Sequence, residues 1–135
     1  MIILLRHAHA DGNDNRLRPL DDRGRRQAEQ LVEPLLEIGV TRIFASSSAR
    51  CIQTVEPLAA AVALPIETQK ALDEGADRDA VVELVYDVGD GGVLCTHDNV
   101  IRLLVPNGIG EGAAALLDVV VPGGEIDVVG SVPAP

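Results

Sequence analysis

The chain has 135 residues, 47% of them apolar, and a net charge of −10, which is enough for one hydrophobic core without disulfides or a structural metal. Its acidity excludes a nucleic-acid partner and disfavours an anionic membrane surface, since both are held mainly by Lys and Arg. Phe44 and Tyr86 are the only aromatic residues, so stacking on bases or sugars is poorly supplied.

Residues 1–5 (MIILL) form a continuous apolar run of the kind buried on both faces of a parallel sheet. The run is too short for a signal-peptide core or a membrane span, which places the protein in the cytoplasm. A first strand ending at Arg6 is expected, followed by a loop over HADGNDNRLRPL. From Asp21 or Asp22, either a suitable cap, Ala28, Leu31, Val32, Leu35 and Ile38 recur at helical spacing. This helix stops near Gly39, and Pro34 predicts a kink or a frayed last turn.

Residues 42–45 (RIFA) read as a short strand, after which Ser46–Ser48 opens a second helix carrying Ile52, Val55, Leu58, Ala59 and Val62. A brief strand over residues 64–67, a helix over 77–87 and a buried-type strand in GVLCTH (92–97) continue the alternation. The pattern predicts an α/β fold in three layers, a mostly parallel sheet with helices on both faces. Beyond His97 the expectations are a helix over 99–104 stopped by Pro106, a second short helix over 111–117, and one or two late strands around Gly123 and Gly124. The whole reads as one domain over residues 1–130 with a loose Pro-rich tail over 131–135. Cys51 and Cys95, 44 residues apart within apolar segments, read as buried reduced thiols.

In open α/β sheets ligands bind at the carboxyl ends of the strands. Arg6 and His7 follow the first strand, Arg50 lies one turn into the element after the second, and His97 follows GVLCT. Two arginines and two histidines from three strand ends make an anion site, because Arg grips phosphate oxygens with paired donors and helix N-termini add N–H groups. An imidazole there can attack phosphorus if its free nitrogen is unprotonated and the other is held by a hydrogen bond. The arginines and the second histidine would carry the charge on the transferring group. A carboxyl group must then protonate the leaving alkoxide. Glu74, in ALDEG, is the best placed, with Asp98 and Asp73 as weaker candidates.

Other basic residues allow bland readings beside functional ones. His9 reads as a loop residue, with a second catalytic group as the alternative. Arg16 and Arg18 either clamp an extended anionic substrate or pair with Asp21 and Asp22. Arg23, Arg25 and Arg26 read as a solvated helix face. His7, His9 and His97 lack a carboxylate or thiol set suited to a metal, so neither a metal nor another cofactor is expected.

LLRHAHA resembles the Arg-His-Gly signature of the histidine phosphatase superfamily, with Ala8 in place of the glycine. RLRPLDDRGRRQAEQL resembles the following segment in its small SixA-like and Nudix-associated branches, with Gly24, Gln27 and Ala28 in the expected places. ASSSARCIQTVEPLA resembles the Ser-Pro-x-x-Arg-x-x-Gln-Thr stretch, with Ser47 where proline is usual. CTHDN matches the final histidine motif, and LDEG resembles the acid-bearing segment. The resemblance covers about residues 1–100 and implies a phosphoglycerate mutase-like fold. It implies that His7 is the nucleophile and passes through a phosphohistidine, that Arg6, Arg50 and His97 hold the phosphate, and that Glu74 donates the proton. It also places Asn13 near the phosphate.

A phosphatase acting on a phosphomonoester or phosphohistidine is therefore expected. Its substrate would be a small phosphorylated metabolite or nucleotide, or a phosphohistidine protein. The alternatives are a phosphoglycerate-type mutase, which needs water excluded from its site, and a non-catalytic phospho-ligand module, which would be expected to have lost part of the quartet.

Overall fold

A computed structural model describes residues 1–12, 16–120 and 124–135. Strand β1 (Ile2–Arg6) leads through helices α1 (Asp22–Gln30) and α2 (Val32–Ile38) to β2 (Arg42–Ala45). Then follow α3 (Ala49–Val62), β3 (Ile66–Thr68), a single 3-10 turn (Lys70–Leu72), α4 (Arg78–Val88), β4 (Gly92–Thr96), α5 (Asp98–Leu104), β5 (Ala114–Val120) and β6 (Glu125–Val132).

Local chemistry sets these boundaries. The Asp21 carboxylate accepts from the Gly24 N–H at 2.8 Å to start α1, and Asp77 accepts from the Ala80 N–H at 2.8 Å to start α4, caps that each contribute about 1 kcal/mol. The expected irregularity at Pro34 is a break: α1 ends at Gln30 and α2 begins at Val32, because proline has no N–H to donate to the Gln30 carbonyl one turn back. Gly39 stops α2 at φ +98°, a conformation that favours glycine.

The six strands lie in the order β3-β2-β4-β1-β5-β6. The first four are mutually parallel, while β5 and β6 are antiparallel additions. Their side chains alternate between two cores. Ile3, Leu5, Ile43 and Val93 pack under α1–α3 with Leu35, Val55 and Leu58, and Ile2, Leu4, Phe44 and Leu94 pack under α4 and α5 with Val81, Val85 and Ile101. Helices thus cover both faces, and none of them is long and apolar enough to cross a membrane.

Two expectations fail after His97. Residues 114–117, expected within a helix over 111–117, lie in β5. Ala, Leu and Glu favour a helix locally, but β5 pairs with β1 from Ile2↔Leu117 to Leu5↔Ala114 and with β6 on its other side, so tertiary pairing overrides the propensity. The tail is shorter than expected, since Ser131 and Val132 pair with Ala115 and Ala114.

The connection leaving β1 runs toward β2 and the one leaving β4 runs toward β5, on opposite sides of the β1–β4 pair. The sheet's switch point therefore lies there, and a crevice is expected outside these two strand ends. Gly24 packs against the segment that leaves β1. A Cβ at this residue would sit 2.0 Å from the His9 carbonyl oxygen, backbone that α1 cannot avoid without moving the segment after β1. Gly24→Ala is expected to destabilise the fold by about 2 kcal/mol or more and to impair the site; thermal denaturation unchanged from wild type would refute this.

Candidate active site

The β1–β4 register pairs Arg6 with Thr96, and the His7 N–H continues the ladder to the Thr96 carbonyl at 3.1 Å. His7 and His97, the next residues on each strand, therefore lie side by side, with ring centroids 5.5 Å apart and planes at 62°. Both are buried, at 6% and 1% exposure.

The His7 Nδ1 lies 2.8 Å from the Ala8 carbonyl. A carbonyl only accepts, so Nδ1 carries the proton and Nε2 keeps its lone pair. Burial is the main cause that lowers the His7 pKa from 6.5 to about 4; the Ala8 contact pulls it up, while His97, Arg50 and Arg6 push it further down. The imidazole is thus neutral at physiological pH. Its neighbour Ala8 is anchored by its N–H to the Thr54 hydroxyl at 2.9 Å, and that hydroxyl donates to the Arg50 carbonyl at 2.6 Å. The neighbouring Gln53 ties α3 to the segment before α1, as its Oε1 accepts from the Leu20 N–H at 2.8 Å.

Arg50, on the first turn of α3, is 1% exposed. Its Nη2 donates to Glu74 Oε1 at 2.8 Å and to His97 Nδ1 at 3.1 Å. Glu74 is 42% exposed at the mouth, 3.6 Å from His97 Nδ1. Its loop is pinned to β4, because the Thr96 hydroxyl donates to the Leu72 carbonyl at 2.6 Å. Arg6 donates through Nη1 to the Ile109 carbonyl at 2.9 Å, while its Nε is buried without a hydrogen-bond partner among the described residues.

These groups line a cleft of about 310 Å³ with Arg18, Asp98, Asn99 and Glu111. Arg6, His7, Arg50, His97 and Glu74 are thus brought together. Arg18 joins them, its Nη1 donating to the Gly12 carbonyl at 2.8 Å. Arg16 lines two neighbouring hollows of about 340 and 190 Å³ instead, with Ser47 and Asp73 in both, Lys70 in the larger and Glu74 in the smaller. Asn13 lies outside the described residues.

His9 stands apart from the cleft. Its Nδ1 contacts Asp21, its Nε2 lies 3.9 Å from Asp11, and its N–H donates to Gln27 Oε1 at 2.9 Å. Both imidazole nitrogens therefore face carboxylates, and a metal at His9, Asp11 and Asp21 would have to displace the Asp21 contact. Asp73, a weaker acid candidate in the sequence, is bound to Ser46 and Ser47. Asp98, the other, lies 3.8 Å from Arg6 and pairs with Arg102 at 2.9 Å. Ser46 and Glu111 carried no signal in the sequence beyond their places near a strand end and a turn.

A neutral buried imidazole with one free nitrogen, beside a second imidazole and two arginines at a parallel-sheet switch point, defines an α/β protein with a cationic site at the carboxyl ends of its strands. The chain belongs to the histidine phosphatase superfamily (branch 1), which its residues 2–77 match. It is 37% identical to the 8-oxo-(d)GTP phosphatase of Mycolicibacterium smegmatis over 77% of this chain, and it spans 36% of that protein's length. Its fold is similar to that of the protein histidine phosphatase SixA in complex with tungstate, with a TM-score of 0.83 and 21% identity over 98% of this chain and 96% of SixA. It is also similar to YhfR of Bacillus stearothermophilus, with a TM-score of 0.77 and 17% identity over 95% and 94% of the two chains.

Proposed function

We propose that this domain hydrolyses phosphate esters through a covalent phosphohistidine on His7. The observation that carries the reading is the pairing of His7 and His97 by strand register, with His7 Nδ1 held by the Ala8 carbonyl so that Nε2 is the free nucleophile. In the first step the Nε2 lone pair forms a bond to phosphorus as the ester P–O bond breaks. Glu74 acts as the general acid and gives a proton to the leaving oxygen. In the second step Glu74 takes a proton from water, whose oxygen attacks phosphorus, and the P–N bond breaks to return neutral His7 and inorganic phosphate. Arg6, Arg50 and His97 hold the equatorial oxygens, and the buried Arg6 Nε is a donor suited to one of them. The sequence resemblance adds Asn13 to the phosphate ligands.

The substrate reading is a small phosphorylated metabolite carrying a further anionic group. Arg18 lies in the cleft and Arg16 and Lys70 line the hollow beside it, basic groups that an acidic chain holds at its site. Among the described residues no Phe, Tyr or Trp lines either space, so a nucleotide would be gripped by its phosphate chain. The chain's similarity to an 8-oxo-(d)GTP phosphatase supports that class, and its likeness to SixA makes a phosphohistidine protein the substrate to test against it.

The test compares inorganic phosphate release from p-nitrophenyl phosphate, nucleoside triphosphates and a phosphohistidine protein, with isomerisation of 3-phosphoglycerate as the mutase control. Failure to turn over any of them would refute the phosphatase reading. For the acid, Glu74→Gln is expected to cost about 10²-fold or more in kcat/KM, which reports the steps up to departure of the leaving group, on an alkyl phosphate and far less on p-nitrophenyl phosphate, whose leaving group needs no proton. Equal losses on both would remove Glu74 from the role.

A further inference from the structure

His97 is held from both sides by groups whose hydrogen-bonding sense is fixed. On one side stands Arg50, whose guanidinium only donates; its Nη2 lies 3.1 Å from His97 Nδ1, so that nitrogen presents a lone pair. On the other side His97 Nε2 lies 2.8 Å from the Ser46 hydroxyl, and that hydroxyl lies 3.0 Å from Asp73 Oδ1. The Asp73 carboxylate also accepts from the Ser47 N–H at 2.8 Å and the Ser47 hydroxyl at 3.0 Å. Burial would raise its pKa, but these donors outweigh burial and hold it below the usual carboxylate value.

An ionised carboxylate only accepts, so the single Ser46 hydrogen points to Asp73 and its oxygen is left to accept from His97 Nε2–H. The Ser48 N–H and Ser48 hydroxyl, at 3.3 and 3.4 Å from the Ser46 oxygen, are longer contacts. Cys51 Sγ, 3.6 Å from Nε2, is the weaker acceptor. The donor at one end and the acceptor at the other set the same direction, from Arg50 to His97 to Ser46 to Asp73.

We infer that Asp73 and Ser46 are positioning residues which keep the neutral His97 in its Nε2–H form and turn Nδ1 toward the phosphate cleft. The inference rests on the phosphatase reading for its consequence but not for its geometry. A positive charge on the His97 ring would be opposed, through Ser46, by the Asp73 carboxylate. The role resembles that of a buried carboxylate orienting a catalytic histidine, with a hydroxyl interposed. It also accounts for a buried Ser46, at 0% exposure, at the end of a strand.

The test is nitrogen-15 NMR of the histidine side chains in the whole protein at pH near 8, with steady-state kinetics on p-nitrophenyl phosphate. His97 is expected to show a protonated Nε2 and a bare Nδ1. Ser46→Ala and Asp73→Ala should each erase that preference, the second because Ser46 is then free to donate to Nε2. Asp73→Asn keeps an accepting oxygen and should preserve it. In both alanine variants kcat should fall by about 10- to 100-fold while KM changes by less than about 3-fold. The His7 signals, with the proton on Nδ1, serve as the internal check on folding. A His97 protonated at Nδ1 in the wild type, or alanine variants with unchanged tautomer and kcat, would overturn the inference. An absence of wild-type turnover on every phosphoester, with the tautomer as expected, would instead sink the phosphatase reading and leave the direction of the chain standing.

Discussion

His7→Ala is expected to abolish turnover, with kcat/KM falling by at least about 10⁴-fold, because removal of a covalent nucleophile leaves only binding and charge stabilisation. Labelled phosphate should be trapped in an acid-labile, alkali-stable bond on the wild type and not on the variant. Retention of label by His7→Ala would move the nucleophile elsewhere.

The same residue sets a pH signature. Its pKa is 6.5 in a peptide and about 4 in the fold, so the imidazole stays neutral well into the acid range and, with His7 as the proposed nucleophile, the acid limb of the rate profile should not show a step near 6.5. For stability the sign is adverse. Between pH 6.5 and about 4 the unfolded chain binds a proton at His7 that the folded chain refuses, so stability falls as the pH drops through that window and levels below it. The loss attributable to this one group is roughly 3 kcal/mol. His7→Ala should lack that part of the slope, and its unfolding free energy should decline less than the wild type's between pH 7 and 4. Parallel curves would show that burial of His7 does not govern the window.

The residues legible in the sequence were those whose position follows from a strand end. MIILL and GVLCT read as buried parallel strands because they are continuous apolar runs, and once they pair in register Arg6, His7 and His97 must converge. Arg50 follows from the serine run that starts a helix directly after RIFA. β5 was not legible, because AALLDVV carries helical propensity and only its two partner strands decide otherwise. Arg16 and Arg18 look alike in the sequence, yet they separate into neighbouring hollows, since two residues of spacing in a loop do not set a direction. The part played by Ser46 depends on the turn that carries Asp73 back against β2, a closure between residues 27 apart that no local pattern encodes.

Arg50→Met should separate activity from stability. Arg50 is a buried cation whose carboxylate partner, Glu74, remains in contact with solvent, so the pair carries the desolvation cost of one ion without the full gain of an enclosed pair. Methionine of similar length removes that charge and leaves Glu74 hydrated, with no orphaned buried carboxylate. It also removes one of the positive charges that push the His7 pKa down, so that pKa should rise. Thermal stability is therefore expected to hold or increase by about 1 kcal/mol. The phosphate loses its fork of donors, and kcat/KM should fall by about 10³-fold. Arg50→Lys restores the charge without the planar fork and should recover only part of the loss. Differential scanning calorimetry beside kinetics on p-nitrophenyl phosphate decides the matter. A large drop in melting temperature would make Arg50 a structural tie between α3 and the Glu74 loop. A rate within about 10-fold of wild type would show that phosphate binding does not depend on its fork, since a donor aimed at the developing charge is worth more than that.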